Sequence, residues 1–164
     1  NNQVGNVIYK VIEYFGDDVR RINHFLKVYG YVKMIGECEN LDDSMQEILE
    51  VTAVLHDVGI KVAEQKYNSS AGHYQQLEGP PVAKKILDEL GYPDDFVERV
   101  MYLIAHHHTY TNIDGMDYQI LVEADFLVNA DEDRLSSDAI ENFKEKIFKT
   151  TTGIAVLENN YLNL

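Results

Sequence analysis

Leu55-His56-Asp57-Val58-Gly59-Ile60-Lys61 closes an apolar run that begins at Val51. Before it, Met45, Ile48, Leu49, Thr52 and Leu55 recur at spacings of three and four, the period of one helix face. Asp42, Asp43 and Ser44 offer N-caps, and Gly59 is expected to end the helix. Successive helical side chains point about 100° apart. His56 and Asp57 can therefore converge on one partner only where the backbone turns away, at a helix end. The plainer alternative is that His56 interacts with the helix dipole while Asp57 is solvated.

The same period extends in both directions. Val4, Val7, Ile8, Val11, Ile12 and Phe15 form one stripe, stopped by Gly16. Asp17 or Asp18 can cap a second helix carrying Val19, Ile22, Phe25, Val28, Tyr29, Val32 and Ile35, ending near Gly36. The β-branched and aromatic content of residues 26 to 36 also allows a strand. Residues 60 to 77 are less regular, with Tyr67 to Gly72 as a loop. Pro80 and Pro81 sit where a helix could begin, since a first turn tolerates proline, and Gly91 closes that helix. Pro93-Asp94-Asp95 opens another that runs into His106-His107-His108. Ile120, Leu121, Ala124, Leu127 and Val128 form the next stripe, and Ser136-Ser137-Asp138 and Thr151-Thr152 start the last two. The expectation is an all-α domain of about seven or eight helices over residues 1–164.

The composition restricts the function. Fourteen Lys and Arg stand against 28 Asp and Glu, a net charge of −14. That balance argues against stable nucleic-acid binding, which rests on cations neutralising phosphates. It equally disfavours an anionic membrane surface. An anionic substrate would need local positive charge, which a bound metal supplies. The single cysteine, Cys38, cannot form an internal disulfide. With no signal-like start, the expected location is the cytoplasm.

Asp125 shifts the reading of the His-Asp pair. It shares a helix face with Leu121 and Val128, and a carboxylate there is expensive unless paired or metal-bound. An ion pair to Arg20, Arg21 or Arg99 is the alternative. His24 lies in phase with Val28, and as a lone residue would be a packing histidine. The triplet His106-His107-His108 fans around its helix, so at most two rings can serve one site. Taken together, His24, His56, Asp57 and Asp125 offer two imidazoles and two carboxylates. Such a set suits Mn²⁺, Fe²⁺, Co²⁺, Ni²⁺ or Zn²⁺ better than Ca²⁺, with Mg²⁺ also admitted. Glu123 and the stretch Asp131 to Asp133 read as solvated acidic surface.

This order of residues resembles the HD-domain superfamily of metal-dependent phosphohydrolases, whose motif is His, then His-Asp, then Asp on a helical bundle. The likeness covers about residues 20–130. Segments Glu78 to Ala83, Ala105 to His108 and Leu121 to Val128 are similar to a bacterial branch of it. The resemblance implies that His24, His56, Asp57 and Asp125 bind a first metal. Two-metal members add histidines between the His-Asp pair and the last Asp. This chain has Gln75 where one such histidine usually stands, and His73 is displaced from that slot. A second metal would fall to His106, His107, Glu78 and His73, and one metal is expected over two.

The implied chemistry is hydrolysis of a small phosphorylated substrate, with His106, His107 or Glu78 handling a proton and Lys61 holding a phosphate oxygen. Lys66, Lys84 and Lys85 are weaker phosphate candidates. Tyr67, Tyr74, Tyr102 and Tyr110 could stack on a base, although tyrosines more often fill core edges. A two-iron oxygenase of the same superfamily and a metal-binding signalling module without turnover are the competing classes. The first helix and the last two could cover the bundle or form a contact in a homo-oligomer.

Overall fold

The computed structural model describes residues 3–163. Among them are nine α-helices and no strand: α1 Val4–Phe15, α2 Val19–Cys38, α3 Asp43–Leu55, α4 Ile60–Tyr67, α5 Gly72–Glu89, α6 Asp94–His106, α7 Met116–Glu132, α8 Ser137–Ile147 and α9 Thr151–Leu157. A π-helical turn, Glu158–Leu162, follows. None of these helices is long and apolar enough to cross a membrane.

Local chemistry sets many of the boundaries. Asp18 accepts from Arg21 N at 3.3 Å, Asp42 from Met45 N at 2.8 Å, and Ser136 from Ala139 N at 3.2 Å. Each satisfies an amide that has no partner within its own helix. Gly16 ends α1 at φ +64°, a conformation most side chains resist. Residues 26–36 are helical throughout, because the buried Phe25, Val28, Val32 and Ile35 fall at spacings of three and four.

Three expectations are corrected. Helix α3 does not reach Gly59 but ends at Leu55, and residues 56–59 form a turn closed by Val58 N to Leu55 O at 3.1 Å. The irregular stretch 60–77 contains α4, which buries Ile60 and Ala63. Pro80 and Pro81 do not open a helix; they lie inside α5. Proline cannot donate to the carbonyl four residues back, so α5 forgoes two of its internal bonds. Tertiary packing carries the helix through: Gln75, Glu78, Gly79, Ala83, Ile86 and Leu87 all face inward.

Two apolar clusters fill the interior. Val7, Val11, Phe25, Val54, Leu55, Leu87, Val100 and Ile104 belong to one. Val28, Val32, Ile35, Leu49, Ala53, Leu103, Leu121, Leu127 and Leu157 belong to the other. Burying one such side chain contributes about 1.5–3 kcal/mol. Helices α2, α3 and α6 supply both clusters, and their crossover points frame the site: Phe25 and Val28 flank His24, and Ala53 and Leu55 precede His56.

Candidate metal centre

Four side chains from three parts of the chain meet at that seam. His24 comes from the second turn of α2, His56 and Asp57 from the turn after α3, and Asp125 from α7. His24 Nε2 lies 3.3 Å from His56 Nε2, 3.3 Å from Asp57 Oδ2 and 3.2 Å from Asp125 Oδ1. His56 Nε2 lies 3.3 Å from Asp57 Oδ2 and 3.4 Å from Asp125 Oδ1. The turn at residues 56–59 is what lets adjacent residues share a centre.

The other ring nitrogens identify the protons. His56 Nδ1 stands 2.6 Å from Ala53 O, and His24 Nδ1 stands 2.8 Å from Glu132 Oε1. Both oxygens can only accept, so each Nδ1 carries a hydrogen. With Nδ1 so engaged, each ring turns its Nε2 toward the other and toward two carboxylate oxygens. Once the Nε2 protons are displaced, the four are acceptors facing one point, an arrangement that a bound cation would satisfy. Separations of 3.2–3.4 Å are those kept by neighbouring ligands whose bonds to a common ion are about 2.0–2.3 Å long.

Two buried atoms sharpen the point: Asp125 Oδ1 and His107 Nε2 have no hydrogen-bond partner. The first lies near both ring nitrogens, but neither approach has hydrogen-bond geometry. Burial alone would raise the Asp57 and Asp125 carboxyls, yet the imidazoles beside them hold both well below the usual range. Burial would likewise lower His24 and His56, but the facing carboxylates raise both, His56 strongly. Neither Arg21 nor Arg99 meets Asp125. Arg21 pairs with Asp18 and Glu64, and Arg99 with Asp114 and Asp117.

A second group adjoins the first. Asp57, His107 and His108 offer ligand atoms within 4.8 Å of one another. Asp57 turns Oδ2 to the first group and Oδ1 to His107 Nε2, at 3.7 Å. His107 Nδ1 donates to Ile104 O at 2.6 Å, which leaves Nε2 as the free lone pair. Burial and the neighbouring His107 push His108 down to about 4, so it is neutral near pH 7. Gln75, in the slot of the missing histidine, sets Oε1 3.4 Å from His108 Nε2.

The family model of the HD domain matches residues 21–141. The chain belongs to the HD domain family. HD domain proteins bind divalent metals, and the family is one of metal-dependent hydrolases. Among solved structures, a predicted HD superfamily hydrolase from an uncultured Thermotogales bacterium superposes with a TM-score of 0.66. It is 23% identical, over 98% of this chain and 84% of that one. No curated protein matches the chain.

Within this HD domain, several candidates lie apart from the donor groups. His106 donates Nδ1–H to Tyr102 O at 2.8 Å and stacks on the Tyr102 ring, so the members of the triplet in the donor groups are His107 and His108. Glu78 is held by Lys66 at 3.0 Å and by the Tyr67 hydroxyl at 2.7 Å. His73 is exposed and packs on Tyr74. Lys61 donates to Tyr14 O at 3.3 Å and lies over the Tyr14 ring. Lys84 pairs with Asp88. Tyr67 and Tyr74 stack on each other at 4.1 Å.

Two acidic residues taken for surface are engaged instead. Glu123 is wholly buried, accepting from Gln119 Nε2, Lys149 N, Thr150 N and Thr150 Oγ1 at 2.6–3.0 Å. Glu132 contacts His24. Apart from Gln119, four residues upstream, the donors of Glu123 lie 26 and 27 residues downstream, beyond any local pattern. Tyr118, with no distinguishing sequence signal, donates its hydroxyl to the His106 carbonyl at 2.8 Å and so steadies the end of α6 beside His107.

Proposed function

We propose that this HD domain is a metal-dependent phosphohydrolase cleaving a small phosphoester, with nucleotides the first class to try. The observation that carries the reading is the meeting of His24 Nε2, His56 Nε2, Asp57 Oδ2 and Asp125 Oδ1 with both Nδ1 hydrogens already committed elsewhere. These four residues would hold the metal. When bound, a divalent metal supplies Lewis acidity, making water a stronger acid and offsetting charge on phosphoryl oxygens.

The chain's own residues do the rest. His107 Nε2 is buried, lacks a partner and faces Asp57, so it can accept a proton from water at the seam. Its ring is fixed by the Nδ1 bond to Ile104 O. Lys61, Lys66 and Lys84 are turned to other partners, which leaves charge compensation to the metal.

A second reading is favoured by the Asp57, His107 and His108 group. With Asp57 shared between the two groups, a pair of irons could support oxidative chemistry on O₂. Metal content decides between the two. Untagged protein, purified without chelator, is analysed by plasma mass spectrometry. It is then assayed with Mn²⁺ or Co²⁺ on phosphomonoesters, phosphodiesters and nucleotides. About one metal per chain with hydrolysis supports the leading reading. Two irons with O₂ consumption support the second. Full loading with neither activity would leave a signalling module, and no uptake of metal would overturn the site.

A further inference from the structure

We infer that Glu132 is the positioning residue of this centre, fixing the ring of His24 from the side opposite the donor cluster. The inference rests on the metal reading above and adds a residue to it. Glu132 Oε1 accepts from His24 Nδ1 at 2.8 Å, and its other oxygen is held by Lys27 Nζ at 2.7 Å. Glu132 stands seven residues after Asp125, two turns along the same face of α7. Lys27 stands three residues after His24 on α2. One helix therefore addresses both nitrogens of the same imidazole, Asp125 at Nε2 and Glu132 at Nδ1.

The need for such a residue follows from where His24 sits. His56 and His107 each follow a helix and set their rings on last-turn carbonyls three residues back, Ala53 O and Ile104 O. His24 lies inside α2, where the nearby carbonyls are consumed by the helix ladder. Its Nδ1–H finds its acceptor on another element, α7. A carboxylate there holds one tautomer, aims the Nε2 lone pair at the cluster and raises its basicity. Partly exposed ion pairs contribute little stability, so the main effect of Glu132 falls on the ring it holds and not on the fold.

The test uses the whole chain, stripped of metal and titrated with Co²⁺ by visible absorption. Wild type, Glu132→Ala, Glu132→Gln and His24→Ala are compared, with melting of the stripped proteins as the control for folding. Glu132→Ala should weaken Co²⁺ binding roughly ten- to a hundredfold and alter the ligand-field bands. Glu132→Gln retains an oxygen that can accept from Nδ1–H and should recover part of that loss. Should Glu132→Ala fail to fold, the Gln variant carries the comparison with wild type. Unchanged affinity and bands in both Glu132 variants, with binding lost in His24→Ala, would overturn the positioning role alone. Unchanged binding in His24→Ala would overturn the metal reading beneath it.

Discussion

Gly59 and Gly79 meet backbone to backbone. A Cβ on Gly59 would lie 2.6 Å from Gly79 N and 2.7 Å from Gln75 O, whereas one on Gly79 would meet chiefly the Ile104 Cγ2 methyl at 2.8 Å. The turn that carries His56 and Asp57 is thus pressed onto α5 with no room for a side chain. Backbone cannot move aside as a side chain can. Gly59→Ala should destabilise the protein by about 1–3 kcal/mol or more, and Gly79→Ala by less. Urea unfolding of both variants checks the order. Because Asp57 lies two residues before Gly59, Gly59→Ala should also weaken metal binding, which a titration reads separately.

The four donors give the protein a pH response whose sign depends on metal. His24 and His56 are raised above their ordinary values, although burial opposes this, because carboxylates face them. In stripped protein their contribution is complete below about pH 6.5 and is lost as pH rises through the raised values. Asp57 and Asp125 are depressed, against the effect of burial, by the same rings. Their contribution is present above about pH 3.9 and is lost as pH falls through the depressed values. Stripped protein should therefore melt higher at pH 5.5 than at pH 8. Metal must displace protons from the rings, so the stabilisation it adds should grow over the same interval. Melting curves at both pH values, with and without Mn²⁺, test this. A stripped protein that gains stability toward pH 8 would contradict the coupling.

Glu123 anchors the return from α8 to α9. One carboxylate takes up two main-chain amides, a hydroxyl and a side-chain amide in a fully buried setting. Glu123→Ala leaves those donors without an acceptor and should cost about 2–4 kcal/mol. Gly153 packs against the same carboxylate. Denaturant unfolding measures the loss. Metal bound per folded chain should stay at the wild-type level, since Glu123 donates nothing to the cluster.

What was legible in the sequence was whatever depends on near neighbours. The caps Asp18, Asp42 and Ser136 act on amides three residues away, and the α1 stripe repeats every three or four residues. Asp125 stood out because it breaks an apolar face. Its meeting with His24 and His56 was not contained in any local period and entered through the resemblance to a known motif. The roles of Glu123 and Glu132 were hidden for a similar reason. Glu132 meets a ring 108 residues earlier, and two of the four donors to Glu123 are main-chain groups that no residue type announces. The prolines of α5 misled in the opposite sense. A local rule placed them in a first turn, and packing of Gly79 and Ala83 against the core overrode it.

Asp57 divides its two oxygens between the groups, Oδ2 toward His24 and His56 and Oδ1 toward His107. Single substitutions should therefore separate the two positions. Asp125→Asn removes a donor charge from the first group alone and should lower its occupancy together with metal-dependent stability. His107→Ala touches the second group and should leave binding at the first largely in place. Asp57→Asn weakens both at once. Metal content of the three variants after loading with Co²⁺, read beside their melting temperatures, gives the pattern. Equal losses in all three would mean one indivisible site. A loss confined to Asp57→Asn and His107→Ala would move the primary position to the second group, because Asp125 would then be holding nothing.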